Sequence, residues 1–182
     1  MEHKVVKKRE NKIKSQFSRE FVYSEVREAK EVYEKSRFGE LNEGRILYSL
    51  VEAFYLLHNK KMNLYDMKNK KMTEKEFLLK ARKVEPNFNV RYAVFKDLRD
   101  RGYIVKTALK FGADFRVYDR GIKPGDDHAK WIVYPVHETD VMTMYEFSAK
   151  NRVAHSTRKR LLLAVVDAEG DCTFYEISWI KP

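Results

Sequence analysis

Tyr118, His128 and Lys159, in the second half of the chain, are side chains of types that can move protons and hold charge. Histidine, with an ordinary pKa of roughly 6.5, gives or takes a proton near neutrality. Asp126 and Asp127 directly precede His128 and would favour its charged form. Lysine supplies a fixed cation for negative charge developing at a reacting centre. Tyrosine is the demanding member, because an ordinary pKa of about 10 leaves it protonated unless nearby cations lower that value. Arg116, Arg120 and Lys159 are the candidates for doing so. The three groups lie on separate segments, and spacing alone does not bring them together. Each has an ordinary reading as well: a half-buried packing tyrosine, an exposed loop histidine, a lysine at the solvated end of a strand.

The elements that must position them are legible in outline. Around Tyr118, Phe115 and Val117 can face a core, which sends Asp114, Arg116 and Tyr118 to the opposite face of a strand. Gly112 suits the tight turn before it. His128 follows a Pro-Gly-Asp-Asp loop, and Lys159 precedes the unbroken apolar run 161–166, a strand covered on both faces. Strands are predicted over 103–108, 114–119, 130–136 and 173–180, with an acidic turn at 167–171 before the last. A helix capped by Asn89 carries Val90, Ala93, Val94 and Leu98 inward and ends at Gly102. Asp140 is the expected cap of a helix from Val141.

In the first half, residues 1–22 read as a basic arm or a frayed, solvated start, with Lys4, Lys7, Lys8 and Arg9 among its cations. Ser24 is the expected cap of a helix running to Ser36, and Gly39 and Gly44 bracket a loop. Ile46, Leu47, Leu50, Val51, Phe54 and Leu57 form a helical stripe, read as the core helix of this half. A strand follows at 62–67, and then Thr73 with Glu76 forms a capping box that opens a helix stopped by Pro86. The expected class is α+β: a small mixed N-terminal domain, 1–86, and a C-terminal domain, 87–182, with a mixed sheet flanked by helices.

Composition bounds the function. Of 182 residues, 43% are hydrophobic, enough for a core, and the formal net charge of +10 favours a polyanionic partner. Cys172 is the single cysteine, which excludes an intramolecular disulfide and a multi-cysteine zinc site. No apolar run reaches transmembrane length and the start lacks a signal-peptide core, so a cytoplasmic protein is expected.

Three stretches carry a closer resemblance: YAVFKDLRDRG at 92–102, YIVKTALKFGADFRVY at 103–118 and RVAHSTRK at 152–159. In order and wording they resemble the archaeal tRNA-splicing endonucleases, strongly over 92–182 and more weakly over 44–91. The resemblance implies a two-domain plan with a nuclease-like second domain, precursor tRNA as substrate, and no metal or other cofactor. It implies cleavage of a bulge-helix-bulge RNA to 2′,3′-cyclic phosphate and 5′-hydroxyl ends. Tyr118 is then general base, His128 general acid and Lys159 the transition-state stabiliser. His155, close to Lys159, is read as a structural hydrogen-bonding residue between helix and strand.

Binding needs its own surface. Lys150, Arg152, Arg158, Lys159 and Arg160 fall in a span, 150–160, that contains no acid, a candidate phosphate patch. The family clamps a bulged base between an arginine and an aromatic ring; Arg152 matches the former and Phe174 best matches the latter, with Tyr175 and Trp179 as substitutes. In the family an acidic loop docks into a basic groove of another subunit, which points to Asp167, Glu169 and Asp171 and to a homotetramer or an α2β2 heterotetramer. Two rivals stand beside this reading. One is a non-catalytic RNA-binding subunit of the same assembly. The other is a metal-dependent restriction-type nuclease built on Asp114, Asp127 and Lys130, although the three-residue step from Asp127 to Lys130 does not place both on one strand face.

Overall fold

The structure, a computed structural model, describes residues 12–180, so Lys4, Lys7, Lys8 and Arg9 of the expected arm lie outside it. Between Ala81 and Arg82 the chain divides into two compact units. Each is built on a five-stranded mixed sheet, and the class is α+β.

The first unit contains β1 (Ile13–Ser18), β2 (Phe21–Ser24), α1 (Arg27–Ser36), β3 (Glu40–Asn42), β4 (Arg45–Tyr48), α2 (Leu50–His58) and β5 (Met62–Tyr65). The division falls within the last turn of helix α3 (Glu74–Val84). Sheet order is β3-β4-β2-β1-β5, with β1 and β5 parallel and the other pairs antiparallel. The reading of 1–22 as an arm or frayed start is therefore corrected for residues 13–22. Ile13, Ser15, Phe17 and Val22 are buried while Lys14 and Arg19 face solvent, so charged residues on one face mask a strand alternation. Ser24 likewise belongs to β2, its hydroxyl donating to the Lys14 carbonyl (2.6 Å), and α1 starts beyond it at Arg27.

The stripe from Ile46 to Leu57 is two elements. Ile46 and Leu47 pair in β4 against β2 and β3. Ser49 then opens α2 with a full capping box to Glu52. The buried Glu52 carboxylate also reaches back in sequence and accepts the Gly39 N–H at 2.9 Å, tying the entrance of β3 to α2. Gly39 sits at φ +74°, where an added Cβ would lie 2.4 Å from the Ile46 side chain and 2.8 Å from the Leu47 carbonyl oxygen. The Thr73–Glu76 box at the start of α3 forms as expected.

The second unit contains α4 (Phe88–Asp100), β6 (Ile104–Ala108), β7 (Ala113–Tyr118), β8 (Trp131–His137), α5 (Met144–Ser156), β9 (Arg160–Val166) and β10 (Cys172–Ile177). Its sheet runs β10-β9-β8-β7-β6, and β8–β9 is the parallel pair. Helix α4 covers one face, with Phe95 against Phe115 at 6.0 Å between ring centroids. On the other face Ala154 of α5 packs with Ile132, Tyr134 and Leu161. Two expected caps are displaced. Helix α4 starts at Phe88, so Asn89 lies inside its first turn and accepts from Arg82 Nε at 2.9 Å. Thr143, with Glu146, caps α5, while the Asp140 carboxylate accepts the His137 N–H at 2.8 Å and closes the turn after β8. Among the described residues no helix is long and apolar enough to cross a membrane.

Gly39→Ala should destabilise the protein by about 3 kcal/mol, combining overpacking with left-handed backbone strain. Denaturant unfolding measures this; a loss under 1 kcal/mol would mean that the β3 entrance yields freely.

Candidate active site

Three strand ends of the second sheet meet at one end of it. Because β7 and β8 are antiparallel and β8 and β9 parallel, the end of β7 lies beside the starts of both others. The Lys130 N–H donates to the Val117 carbonyl (2.8 Å), and the Arg160 N–H donates to the Lys130 carbonyl (3.0 Å). Tyr118 ends β7, while His128 and Lys159 lie just ahead of β8 and β9. All three line one concavity of about 400 Å3, together with Phe111, Arg116 and Asp127. The ring of Tyr118 is buried and His128 is exposed.

The direction in which Lys159 enters the concavity is set by the end of α5. Arg158 takes the left-handed conformation (φ 56°). Its N–H donates to the His155 carbonyl and the Lys159 N–H to the Ala154 carbonyl, both at 2.9 Å. These are the two bonds of a Schellman ending, formed here without the usual glycine. The Lys159 ammonium donates to the Thr157 carbonyl at 2.7 Å and lies 5.4 Å from the centre of the Phe111 ring. Phe111 is placed by a single 3-10 turn, Leu109–Phe111, closed by Gly112 at φ 63°. Burial, and after it the like charge of Arg116, hold the Lys159 pKa below the ordinary lysine range.

Arg116 and Lys159, two of the cations expected around Tyr118, line the concavity with it. Arg120 does not; its guanidinium lies over the Tyr103 ring at 5.0 Å. The Asp127 carboxylate accepts the backbone N–H of His128 at 2.6 Å and so steadies the loop. Phe111 was not singled out by the sequence; the aromatic directly before the turn glycine was the available signal.

The basic patch is only partly gathered. Arg158 and Arg160 line an adjoining concavity of about 460 Å3 that shares His128 and Lys159 with the first. Arg160 is held by Glu176 (2.6 Å), which also accepts from the Trp131 indole N–H (2.7 Å). Lys150 lies over the Tyr134 ring at 4.3 Å, and Arg152 is exposed on α5. Phe174 goes elsewhere. On β10 it pairs with Ala164, and its ring lies 5.6 Å from the guanidinium carbon of Arg101, at the end of α4. It therefore faces the α4 side, while Tyr175 and Ile177 face the α5 side. Trp179 is exposed and sits edge-on to the His155 ring at 4.5 Å. Among the described residues the side-chain contact of His155 is thus with this aromatic ring, and the expected hydrogen bond from helix to strand is not found.

Asp167 holds its own hairpin, accepting the Asp171 N–H at 2.8 Å, whereas the Glu169 and Asp171 side chains are exposed. Cys172, half-buried in β10, has its thiol pushed up to about 11 by burial and by Asp97. Of the rival set, Asp127 and Lys130 line the adjoining concavity, where Lys130 pairs with Asp119 (2.9 Å), whereas Asp114 lines neither concavity and pairs with Arg91 (2.8 Å). Among the described residues no three His, Cys, Asp or Glu side chains are grouped to hold a metal ion.

Comparison with known proteins matches both units. The family described as tRNA intron endonuclease, catalytic C-terminal domain, matches residues 88–174. The tRNA intron endonuclease N-terminal domain matches residues 13–78. A tRNA-splicing endonuclease of Nanoarchaeum equitans is 48% identical over 139 residues, covering 73% of this chain and 88% of that protein. Those of Thermococcus onnurineus and Pyrococcus furiosus are 42% and 40% identical, over 83% and 88% of this chain and 86% and 92% of theirs.

Arg116→Gln should raise the Lys159 pKa, because removing a like charge favours the protonated form. It should not reach the ordinary lysine value, since burial is the larger cause. An NMR titration of the lysine side chains reads this; an unmoved midpoint would separate the two residues electrostatically.

Proposed function

The chain belongs to the tRNA intron endonuclease family, and from that premise we propose that it cuts precursor tRNA at bulge-helix-bulge junctions using the RNA's own 2′-hydroxyl. Tyr118 takes the hydroxyl proton, a bond forms from O2′ to phosphorus, and the bond from phosphorus to O5′ breaks. His128 gives its proton to the departing O5′, so the ends are a 2′,3′-cyclic phosphate and a 5′-hydroxyl, with no water consumed. Lys159, with Arg116 beside it, faces the charge that accumulates on the phosphate oxygens. The observation that carries this reading is the meeting of a tyrosine, a histidine and two cations in one concavity. The same observation favours a catalytic chain over a purely structural subunit.

For capture of the bulged base we propose Arg152 with Trp179. Arg152 stands one turn before His155 on α5, and His155 contacts the exposed Trp179 ring. An unstacked base between a guanidinium plane and an aromatic ring is a common mode of RNA recognition. Phe174, under Arg101 on the other face of the sheet, is not suited to this role. Arg158 and Arg160 serve the flanking phosphates and Lys150 adds charge nearby. Assembly into four subunits, whether homotetrameric or with a second related chain, is proposed to use Glu169 and Asp171 as the docking acids, with Asp167 shaping the turn.

His128→Ala should lower cleavage of a bulge-helix-bulge RNA by about 10²–10⁴-fold while RNA affinity holds. The parent, assayed in excess EDTA, should leave cyclic phosphate and 5′-hydroxyl ends. Ends carrying 5′-phosphate, or full activity in His128→Ala, would overturn the mechanism.

Joint replacement of Glu169 and Asp171 by Ser should lower the mass measured by light scattering, and salt should lower that of the parent. A mass unaffected by either treatment would remove this loop from the assembly.

A further inference from the structure

The first unit presents a sheet face that the proposed reaction does not use. Helices α1 and α2 pack on one side of this sheet, where Ile13, Phe17, Val22, Ile46 and Leu64 are buried. Strand alternation sends Lys14 and Gln16 of β1, Phe21 and Tyr23 of β2, Arg45 of β4 and Tyr65 of β5 to the other side. Those side chains are half-buried or exposed, so among the described residues this face of the first unit keeps its access to solvent. It interleaves rings and cations: the Lys14 ammonium lies 5.4 Å from the Tyr65 ring centre, and the Arg45 guanidinium lies 5.6 Å from that of Tyr23. Lys71 bridges Tyr65 from the other edge of β5. The Tyr23 ring is pre-set, since its hydroxyl donates to Gln16, whose amide donates to Asn69 at 3.0 Å.

We propose that this face is a second RNA-binding surface, taking an unpaired stretch of RNA with bases stacked on Tyr65 and Tyr23 and phosphates beside Lys14, Lys71 and Arg45. Base–aromatic stacking on a sheet flanked by cations is the physical mode of sequence-tolerant single-strand binding. Charge selects this occupant. Among the described residues the β1–β5 side of the face carries no carboxylate, because Asp66, the nearest in sequence, is turned to the backbone N–H groups of Lys68 and Lys70 at 2.9 Å each. Toward the other side, Glu25 is paired with Arg45 (2.6 Å), and Glu40 of β3, opposite Leu47, shares the face only at its far edge. The proposal rests on RNA being the substrate of the chain and is independent of how that RNA is cut.

The test uses the full chain and a fluorescent, 4-thiouridine-containing single-stranded RNA of about ten nucleotides, within the usual site size for such surfaces. Photo-crosslinks should map to Tyr65 and Tyr23. Tyr65→Ala should weaken binding by about five-fold or more, Tyr65→Phe should restore it, and joint replacement of Lys14 and Lys71 by Glu should flatten its salt dependence. Cleavage of a short bulged RNA without single-stranded tails should be unchanged in these variants. Crosslinks confined to residues around Lys159, or unaltered affinity in Tyr65→Ala, would overturn the proposal. So would a change in assembly mass without a change in affinity, which would make the face a protein interface. Failure of the parent to cleave the bulged RNA would strike the proposed function instead and leave the binding result readable.

Discussion

The second unit depends on two backbone hydrogen bonds, from Lys130 to Val117 and from Arg160 to Lys130. They stitch an antiparallel pair to a parallel one at the end where the chain leaves β7 and enters β8 and β9. A parallel pair requires a crossover, and α5 supplies it. The crossover helix must then stop where β9 starts, and the Schellman ending at Arg158 does this within a few residues. The position of Lys159 is thus a consequence of how a helix ends, and that of His128 of how a loop closes onto Val117.

The site that results is cation-rich and partly desolvated. Lys159 and Arg116 are held close enough for one to depress the pKa of the other, which is tolerable because burial is incomplete and a carbonyl and an aromatic face receive the ammonium. A polyanion entering the concavity would relieve that repulsion. Similar logic runs through the rest of the chain, where several exposed cations lie over rings, as with Lys14, Arg45 and Arg101. These cations therefore offer a positive charge and a ring side by side.

Much of this was legible locally. The alternation of Phe115 and Val117, the Thr73–Glu76 box and the apolar run 161–166 are signals written within a few residues, and the structure realises each. The misreadings have two separate local causes. Ile46 to Leu57 satisfies a helical period across a strand and a helix, because a short strand joined directly to an amphipathic helix leaves no gap in the stripe; Ser49 and Glu52 were the local sign of the boundary. Residues 13–22 were obscured by charge, since a strand with one solvated face can hold as many lysines as an arm.

The sequence by itself determined the types of the groups proposed to react, the elements that carry them and the family that the chain belongs to, because propensity, periodicity and motif wording are local. Only the tertiary structure decided which ends meet and which faces are shared. It put Tyr118, His128 and Lys159 in one concavity, sent Phe174 to the α4 side, and left Trp179 against His155. The physical reason is register. A side chain in a strand has two possible faces, and the choice between them is made by pairing with segments far away in the chain, which no local pattern records.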